Sequence, residues 1–467
     1  MEGYTNPLWV LILSALVRVG ADPLVWSRII GVIAGAGTLL LVHRAARRLR
    51  PDPPMLALVA PVLLACNRTV CVWSTQGLET SFFSFLCMAG LYLAGGTAPH
   101  WSVMAGTALG LAALTRPEGI LVFAGLALVM ALDRLRRIPG DAATDRLAGF
   151  QQPLLVSLPF FVLVVSHLVF RLVYYGRWLP NTYAVKVTGL YPASGLVHVA
   201  LFARDNLLGL ELPLILIAAW ALWRAKDRRG PLRTPLACLV AAVGYLVYIF
   251  SIGGDHFEYR FFHPVLVMLA LPVSMGVFET GAFLARSGST RLARIVTVTC
   301  VLVMAARGII VSGAGFQVVV RTIDLGFQKG DVSITSIEYE HGFARTLVHV
   351  GQWLGRHADP DETVGVEAAG AVPYFSRLRA VDVLGLTEPD GASFPAAPQR
   401  FVGHERRAGT DYLMRRGVTY FLGKMSMRFS GPDPLRAVVV SLPEGGDYSF
   451  QSATPEARIQ PGHYDWP

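Results

Sequence analysis

Charge is scarce in this sequence. Asp, Glu, Lys and Arg make up 16% of the 467 residues, against 53% hydrophobic ones, and the mean hydropathy is +0.48. An ordinary soluble globule, about a quarter charged, is excluded, and a polytopic membrane protein is what such a chain builds. The five cysteines, Cys66, Cys71, Cys87, Cys238 and Cys300, lie in or beside apolar runs with no CxxC or zinc spacing. They read as small buried hydrophobes. No glycine-rich loop opens a helix after a strand, which removes the usual cradle for a nucleotide phosphate. The N-terminus has Glu2 where a signal peptide carries basic residues, and internal repeats and low-complexity linkers are missing. The formal charge of +9 does not point to nucleic acid, because the Arg residues follow the loops rather than one binding face.

What is present is a series of apolar runs near the ~20 residues that cross a hydrocarbon core. The predicted spans are Pro23–Val42, Met55–Val72, Leu78–Gly95, Trp101–Leu114, Gly119–Leu132, Leu154–Tyr174, Gly209–Trp223, Leu236–Ile252, Phe261–Leu284 and Ile295–Val311. The fold class expected is therefore a polytopic α-helical membrane protein of about 10 spans, preceded by a short N-terminal juxtamembrane helix over Pro7–Gly20. The pair flanking Thr115–Glu118 is short on both sides and reads as broken or tilted helices. Residues 1–312 form the transmembrane domain and 313–467 an extracytoplasmic α/β domain. In the latter, Glu340–His357 and Asp411–Arg416 are predicted helices. Thr363–Glu367, Arg379–Leu384, Val418–Leu422 and Ala437–Leu442 are predicted strands with parallel pairing.

Four loops concentrate about sixteen Lys and Arg: Arg44–Arg50, Arg134–Arg146, Arg224–Arg233 and Arg286–Arg294. The alternate loops hold fewer over a greater length, so the basic set is placed in the cytoplasm. Asn67–Gly77, Thr115–Glu118, Tyr175–Asn206, Gly253–Arg260 and everything after Val311 then face outward. On this topology Pro23 starts outside, which predicts a further span upstream of Met1 unless Pro7–Gly20 crosses by thinning the bilayer.

The outward loops also carry the unusual residues. Gly253–Pro264, GGDHFEYRFFHP, packs Asp255, His256, Glu258, Arg260 and His263 between two apolar runs, where ionisable groups usually face a cavity or one another. Arg116, Lys186 and Arg260 with His256 are the candidate ligands of a donor phosphate, since cations and neutral donors hold a phosphate and stabilise it as it leaves. Tyr4, Asn6, Glu79, Glu118, Asn181, Tyr183 and Glu258 are expected to line a sugar or acceptor cavity. A base for a sugar hydroxyl must be a carboxylate, and Asp255 is the candidate within the chain. Arg68 and Arg204 read as headgroup anchors. No metal ligand set is assigned and no cofactor is certain, although Asp255, His256 and Glu258 leave a divalent cation open.

EGYTNPLW (Glu2–Trp9), STQGLETSFF (Ser74–Phe83), LTRPEG (Leu114–Gly119), YYGRWLPNTYAVK (Tyr174–Lys186), GGDHFEYRFFHP, AAGAVPYFS (Ala368–Ser376) and VDVLGLTEP (Val381–Pro389) run in order along nearly the whole chain. Together they resemble membrane glycosyltransferases of the GT-C superfamily, in particular the mycobacterial terminal β-arabinofuranosyltransferase family, of which a related branch is described as a flagellar motor control protein. The resemblance implies a helical bundle in the cytoplasmic membrane with an outward C-terminal α/β domain. It implies inverting transfer of a sugar, arabinofuranose among the candidates, from a polyprenyl-phosphate donor to a cell-envelope glycan. It also implies a catalytic Asp in a first outward loop with adjacent Asp residues, expected upstream of Met1. Glu388 stands where many relatives carry Asp, and Ala368 replaces an acidic residue found in some of them, both in the soluble domain. Two other classes use similar features: a transporter or flippase of lipid-linked sugar, which favours pseudo-repeats and midplane charges not seen here, and a non-catalytic scaffold.

Overall fold

The computed structural model describes residues 2–51, 54–135, 143–187, 189–225, 230–313, 320–323, 332–396, 405–422, 437–441, 447–452 and 462–464. The chain divides into two compact units. A helical unit holds Thr5–Tyr174 and Tyr191–Val318, and an α/β unit holds Met1–Tyr4, Tyr175–Leu190 and Val319–Pro467.

Helices α1 (Pro7–Arg18), α2 (Pro23–Leu49), α3 (Val59–Ala65), α4 (Arg68–Thr75) and α5 (Thr80–Ala94) open the helical unit. Next come α6 (Pro99–Thr115), α7 (Gly119–Leu135) and α8 (Ala143–Tyr175). The short α9 (Asn181–Lys186) belongs to the α/β unit. The helical unit resumes with α10 (Pro192–Asp205), α11 (Leu212–Arg224), α12 (Arg233–Ile252), α13 (Phe262–Arg286) and α14 (Thr290–Gly313). Among the described residues, Pro23–Leu49, Gln151–Tyr175, Gly230–Ile252 and Phe262–Arg286 are long and apolar enough to cross a membrane. With the shorter apolar helices α1, α5 and α11, they make this a multi-pass membrane protein.

The predicted span Met55–Val72 is corrected by the structure: it breaks into α3 and α4, bent by 63°. The cause is local, because the Asn67 side chain accepts from the Val70 amide at 3.3 Å and so caps a new helix. The same cap puts α4 where a loop over Asn67–Gly77 was expected, and α9 and α10 form within Tyr175–Asn206 without a side-chain cap. The break between α6 and α7 falls where it was predicted. Arg116 is extended, at φ −150° and ψ 134°, as the residue before Pro117 tends to be.

The core of the helical unit is α13, buried on all sides from Phe262 to Phe278. Its Gly276 lies against the Leu214 backbone of α11, leaving no room for a Cβ. Polar side chains tie helices together, as when Ser84 of α5 meets His263 Nδ1 of α13 at 2.8 Å. By contrast α8 leaves most of its apolar surface outward, with Leu154, Val162 and Val169 all more than half exposed.

In the α/β unit, β1 (Val320–Ile323) pairs antiparallel with β2 (Val332–Thr335). The long α15 (Ile337–His357) is capped by Ser336, whose hydroxyl accepts from the Tyr339 amide. A second sheet comprises β3 (Thr363–Val366), β4 (Arg379–Asp382), β5 (Tyr420–Leu422), β6 (Ala437–Ser441), β7 (Asp447–Ser452) and β8 (Gly462–Tyr464). They lie in the order β4-β3-β5-β7-β6-β8. Pairing is parallel for β4-β3-β5, as expected, and also for β6 with the unpredicted β8, but antiparallel where β7 meets β5 and β6. The sheet is therefore mixed. A short return from β6 to β7 permits antiparallel pairing, which needs no helical crossover. One face packs on α15 and α16 (Ala371–Ser376) through Val350, Trp353, Leu354 and Val372, and the other on α17 (Thr410–Arg415) through Leu413.

Candidate functional site

The centre of the helical unit's polar region is the loop joining α12 to α13. Gly253 and Gly254 have φ of 88° and 90°, a region glycine enters without strain. They stop α12 and swing the chain across the His198 ring of α10, which leaves no space for a Cβ at Gly254. Tyr259 also has positive φ, 50°, and is fully buried. Its hydroxyl donates to Asp205 Oδ2 at 2.6 Å, which holds the strained residue in place.

Glu258 turns inward. Arg68 of α4 donates to both of its carboxylate oxygens, at 2.7 and 3.1 Å, and the Trp73 indole donates to its carbonyl at 2.8 Å. Two sequence expectations change. Arg68 is a bidentate internal partner rather than a headgroup anchor, and Glu258, its side chain 1% exposed, anchors the loop instead of lining a sugar cavity. The two lie 190 positions apart, so nothing local in the sequence joins them.

The other half of the loop faces the remaining candidates. Arg260 pairs with Asp255 at 2.8 Å, and His256 Nδ1 lies 3.4 Å from the same carboxylate. The Arg260 guanidinium sits 4.6 Å from the Phe257 ring centre and 5.3 Å from that of Phe261. Arg116 approaches Phe261 as well, at 5.0 Å. One aromatic ring therefore carries both guanidiniums, an arrangement of the cation–π kind.

Arg116 is held by carboxylates. It donates to Glu79 and to Glu118, each at 3.0 Å. Tyr248 donates to the same Glu118 oxygen at 3.2 Å, and Asn6 donates to Glu79 at 3.3 Å. The structure thus brings together Asn6, Glu79, Arg116, Glu118, Asp255, His256 and Arg260, with Tyr248, Phe257 and Phe261, which sequence reasoning did not single out. Two guanidiniums face three carboxylates, so Arg116 is already neutralised. Arg260, whose side chain is 17% exposed, is the better placed cation for an incoming anion.

The other candidates lie in the α/β unit. Tyr183 and Lys186 are exposed on α9, and the Tyr4 and Tyr175 hydroxyls meet at 3.1 Å. Asn181 is different. Its amide nitrogen donates toward the carbonyls of Gly385, Leu386 and Glu388 at 2.8, 3.1 and 2.9 Å, while its oxygen accepts from Arg177. Expected to line a cavity, it is instead a tether whose side chain is 1% exposed. Glu388 is likewise internal, accepting from Tyr412 at 2.9 Å and Arg416 at 3.0 Å. Burial and the bond to Glu388 push the Tyr412 hydroxyl up to about 12, so it remains a donor. With Glu258 bound to Arg68, the Asp255, His256 and Glu258 side chains do not converge. Among the described residues no three His, Cys, Asp or Glu side chains gather as metal ligands.

Comparison with solved structures defines the fold. The archaeal oligosaccharyltransferase AglB from Archaeoglobus fulgidus, in complex with an inhibitory peptide and a dolichol-phosphate, matches at a TM-score of 0.50 and 12% identity, over 97% of this chain and 67% of that one. ArnT from Cupriavidus metallidurans bound to undecaprenyl phosphate matches at 0.45 and 14% identity, over 84% and 77% of the two chains. The protein shares the fold of that archaeal oligosaccharyltransferase. A family model described as a domain of unknown function (DUF8728) matches residues 334–460. No curated protein matches in sequence.

Proposed function

We propose that this protein is a glycosyltransferase that moves a sugar, arabinofuranose first among the candidates, from a polyprenyl-phosphate donor to a cell-envelope glycan at the outer membrane face. The observation that carries the reading is the pair of guanidiniums, Arg116 and Arg260, on the single Phe261 ring among three carboxylates. It occurs in a chain that shares its fold with an oligosaccharyltransferase solved with dolichol-phosphate. Arg260 and His256 meet the donor phosphate. Arg116, fixed by Glu79 and Glu118, orients Phe261.

In this reaction an acceptor hydroxyl attacks the anomeric carbon from the side opposite the leaving group. The bond between that carbon and the phosphate oxygen breaks, its electron pair stays on the phosphate, and the configuration inverts. The hydroxyl proton passes to a carboxylate, for which Asp255 is the candidate within this chain, positioned by Arg260. Asn6, Glu79 and Glu118 lie close enough to this group to meet sugar hydroxyls. Residues 1–312 carry the chemistry, and 313–467 form an extracytoplasmic domain facing the acceptor.

The test is transfer in proteoliposomes from radiolabelled polyprenyl-phosphate arabinofuranose to an arabinan acceptor. The reading expects label in the glycan and free polyprenyl phosphate in equal amount. Movement of labelled lipid across the bilayer with no new glycosidic bond would replace it with a flippase.

A further inference from the structure

The bend between α3 and α4 holds a pair of thiols that the proposed transfer does not use. Asn67 is the N-cap of α4, so Cys66 occupies the position before the cap and Cys71 the fourth position within the helix. These are the two sites whose side chains meet in a hydrophobic staple. Cys71 Sγ turns back toward that position, 3.2 Å from the carbonyl oxygen of Ala65, the residue next to Cys66, and the two thiols are within electrostatic range of each other. Both are free thiols, Cys71 exposed and Cys66 partly so, whereas Cys87 and Cys238 are buried.

We propose that Cys66 and Cys71 form a reversible disulfide, a covalent staple across the bend. The step is thiol–disulfide exchange with an external disulfide. One cysteine thiolate attacks the external disulfide and releases a thiolate. The second cysteine then displaces the remaining half, so both cysteines are oxidised, the external disulfide is reduced to two thiols, and two protons are redistributed. The staple would fix the start of α4, the helix from which Arg68 and Trp73 reach Glu258, and so stiffen the loop bearing Asp255 and Arg260.

The experiment treats the purified full-length protein with oxidised glutathione, blocks remaining thiols by alkylation after denaturation, and digests with trypsin, which cuts between the two cysteines after Arg68. The expected result is a pair of tryptic fragments joined through Cys66 and Cys71, separated by dithiothreitol, with loss of alkylation at both and none at Cys87 or Cys238. In C66S and in C71S the remaining cysteine should instead carry a glutathione adduct. If both cysteines of the wild-type protein are recovered alkylated or singly glutathionylated, with no joined fragments, the proposal is overturned. The readout is covalent and does not depend on glycosyl transfer.

Discussion

At the scale of single residues, the Arg68–Glu258 pair makes the clearest demand. A carboxylate with 1% side-chain exposure is tolerated because a guanidinium grips both of its oxygens, and removing one partner of such a pair leaves a buried, uncompensated charge. R68A is therefore expected to destabilise the protein by about 3 kcal/mol, seen as a lower melting temperature in detergent. E258Q in the same background should recover part of that loss, and equal melting of R68A and wild type would count against the pairing. Arg260 makes a different demand. Because its side chain is partly open and its partner Asp255 lies on the same loop, R260A should leave folding intact while cutting transfer about a hundred- to a thousand-fold, the usual scale for one charge-stabilising group. Normal membrane insertion with wild-type transfer would remove Arg260 from the donor site. Asn181 predicts the converse. N181A leaves three carbonyls without their donor, a loss of roughly 1–3 kcal/mol, and should make the α/β unit easier to cleave by protease. The sequence marked these residues as unusual because polar groups stand out in an apolar chain. Which of them face each other was not legible, since Arg68 and Glu258, or Asn6 and Glu79, meet only through helix packing.

Among the elements, caps and prolines were more readable than spans. The Pro117 break and the amphipathic α15 follow from residue order, because Pro restricts the residue before it and an apolar stripe recurs with the helical period. The Met55–Val72 break did not, since a hydropathy window averages over one Asn and cannot weigh its cap against the apolar run around it. The same averaging hides close helix contacts. Gly276 of α13 sits on the Leu214 backbone of α11, a position that reads as one small residue among many in an apolar stretch. G276A places a methyl group against a backbone that cannot rotate away, so a loss of about 1–3 kcal/mol is expected from overpacking. A melting temperature unchanged from wild type in the same detergent would mean that α11 and α13 do not pack through this glycine.

For the whole molecule, the remaining question is which side of the membrane each end of the helices faces. The basic loops after α2, α7, α11 and α13 alternate with loops that carry the candidate site. Lys and Arg near span ends are retained on the cytoplasmic side, and on that rule we propose that Gly253–Arg260 and the C-terminal α/β domain lie outside. The helix count alone does not decide this. Among the described residues four helices pass as full spans and others are shorter or bent, so orientation is not obtained by adding crossings. The expectation is checked by fusing alkaline phosphatase, active only outside the cytoplasm, and green fluorescent protein, which fluoresces inside it, to two points of the chain. After Pro467 the phosphatase fusion should be active and the fluorescent one dark. After Ser289, in the basic loop between α13 and α14, the pattern should reverse. The opposite result at both points would place the Arg116 and Arg260 cluster on the cytoplasmic face, and with it the donor. A lipid-linked sugar would then have to be used on the side where nucleotide sugars are already available, which would remove the reason for a lipid-borne donor and the transferase proposal with it.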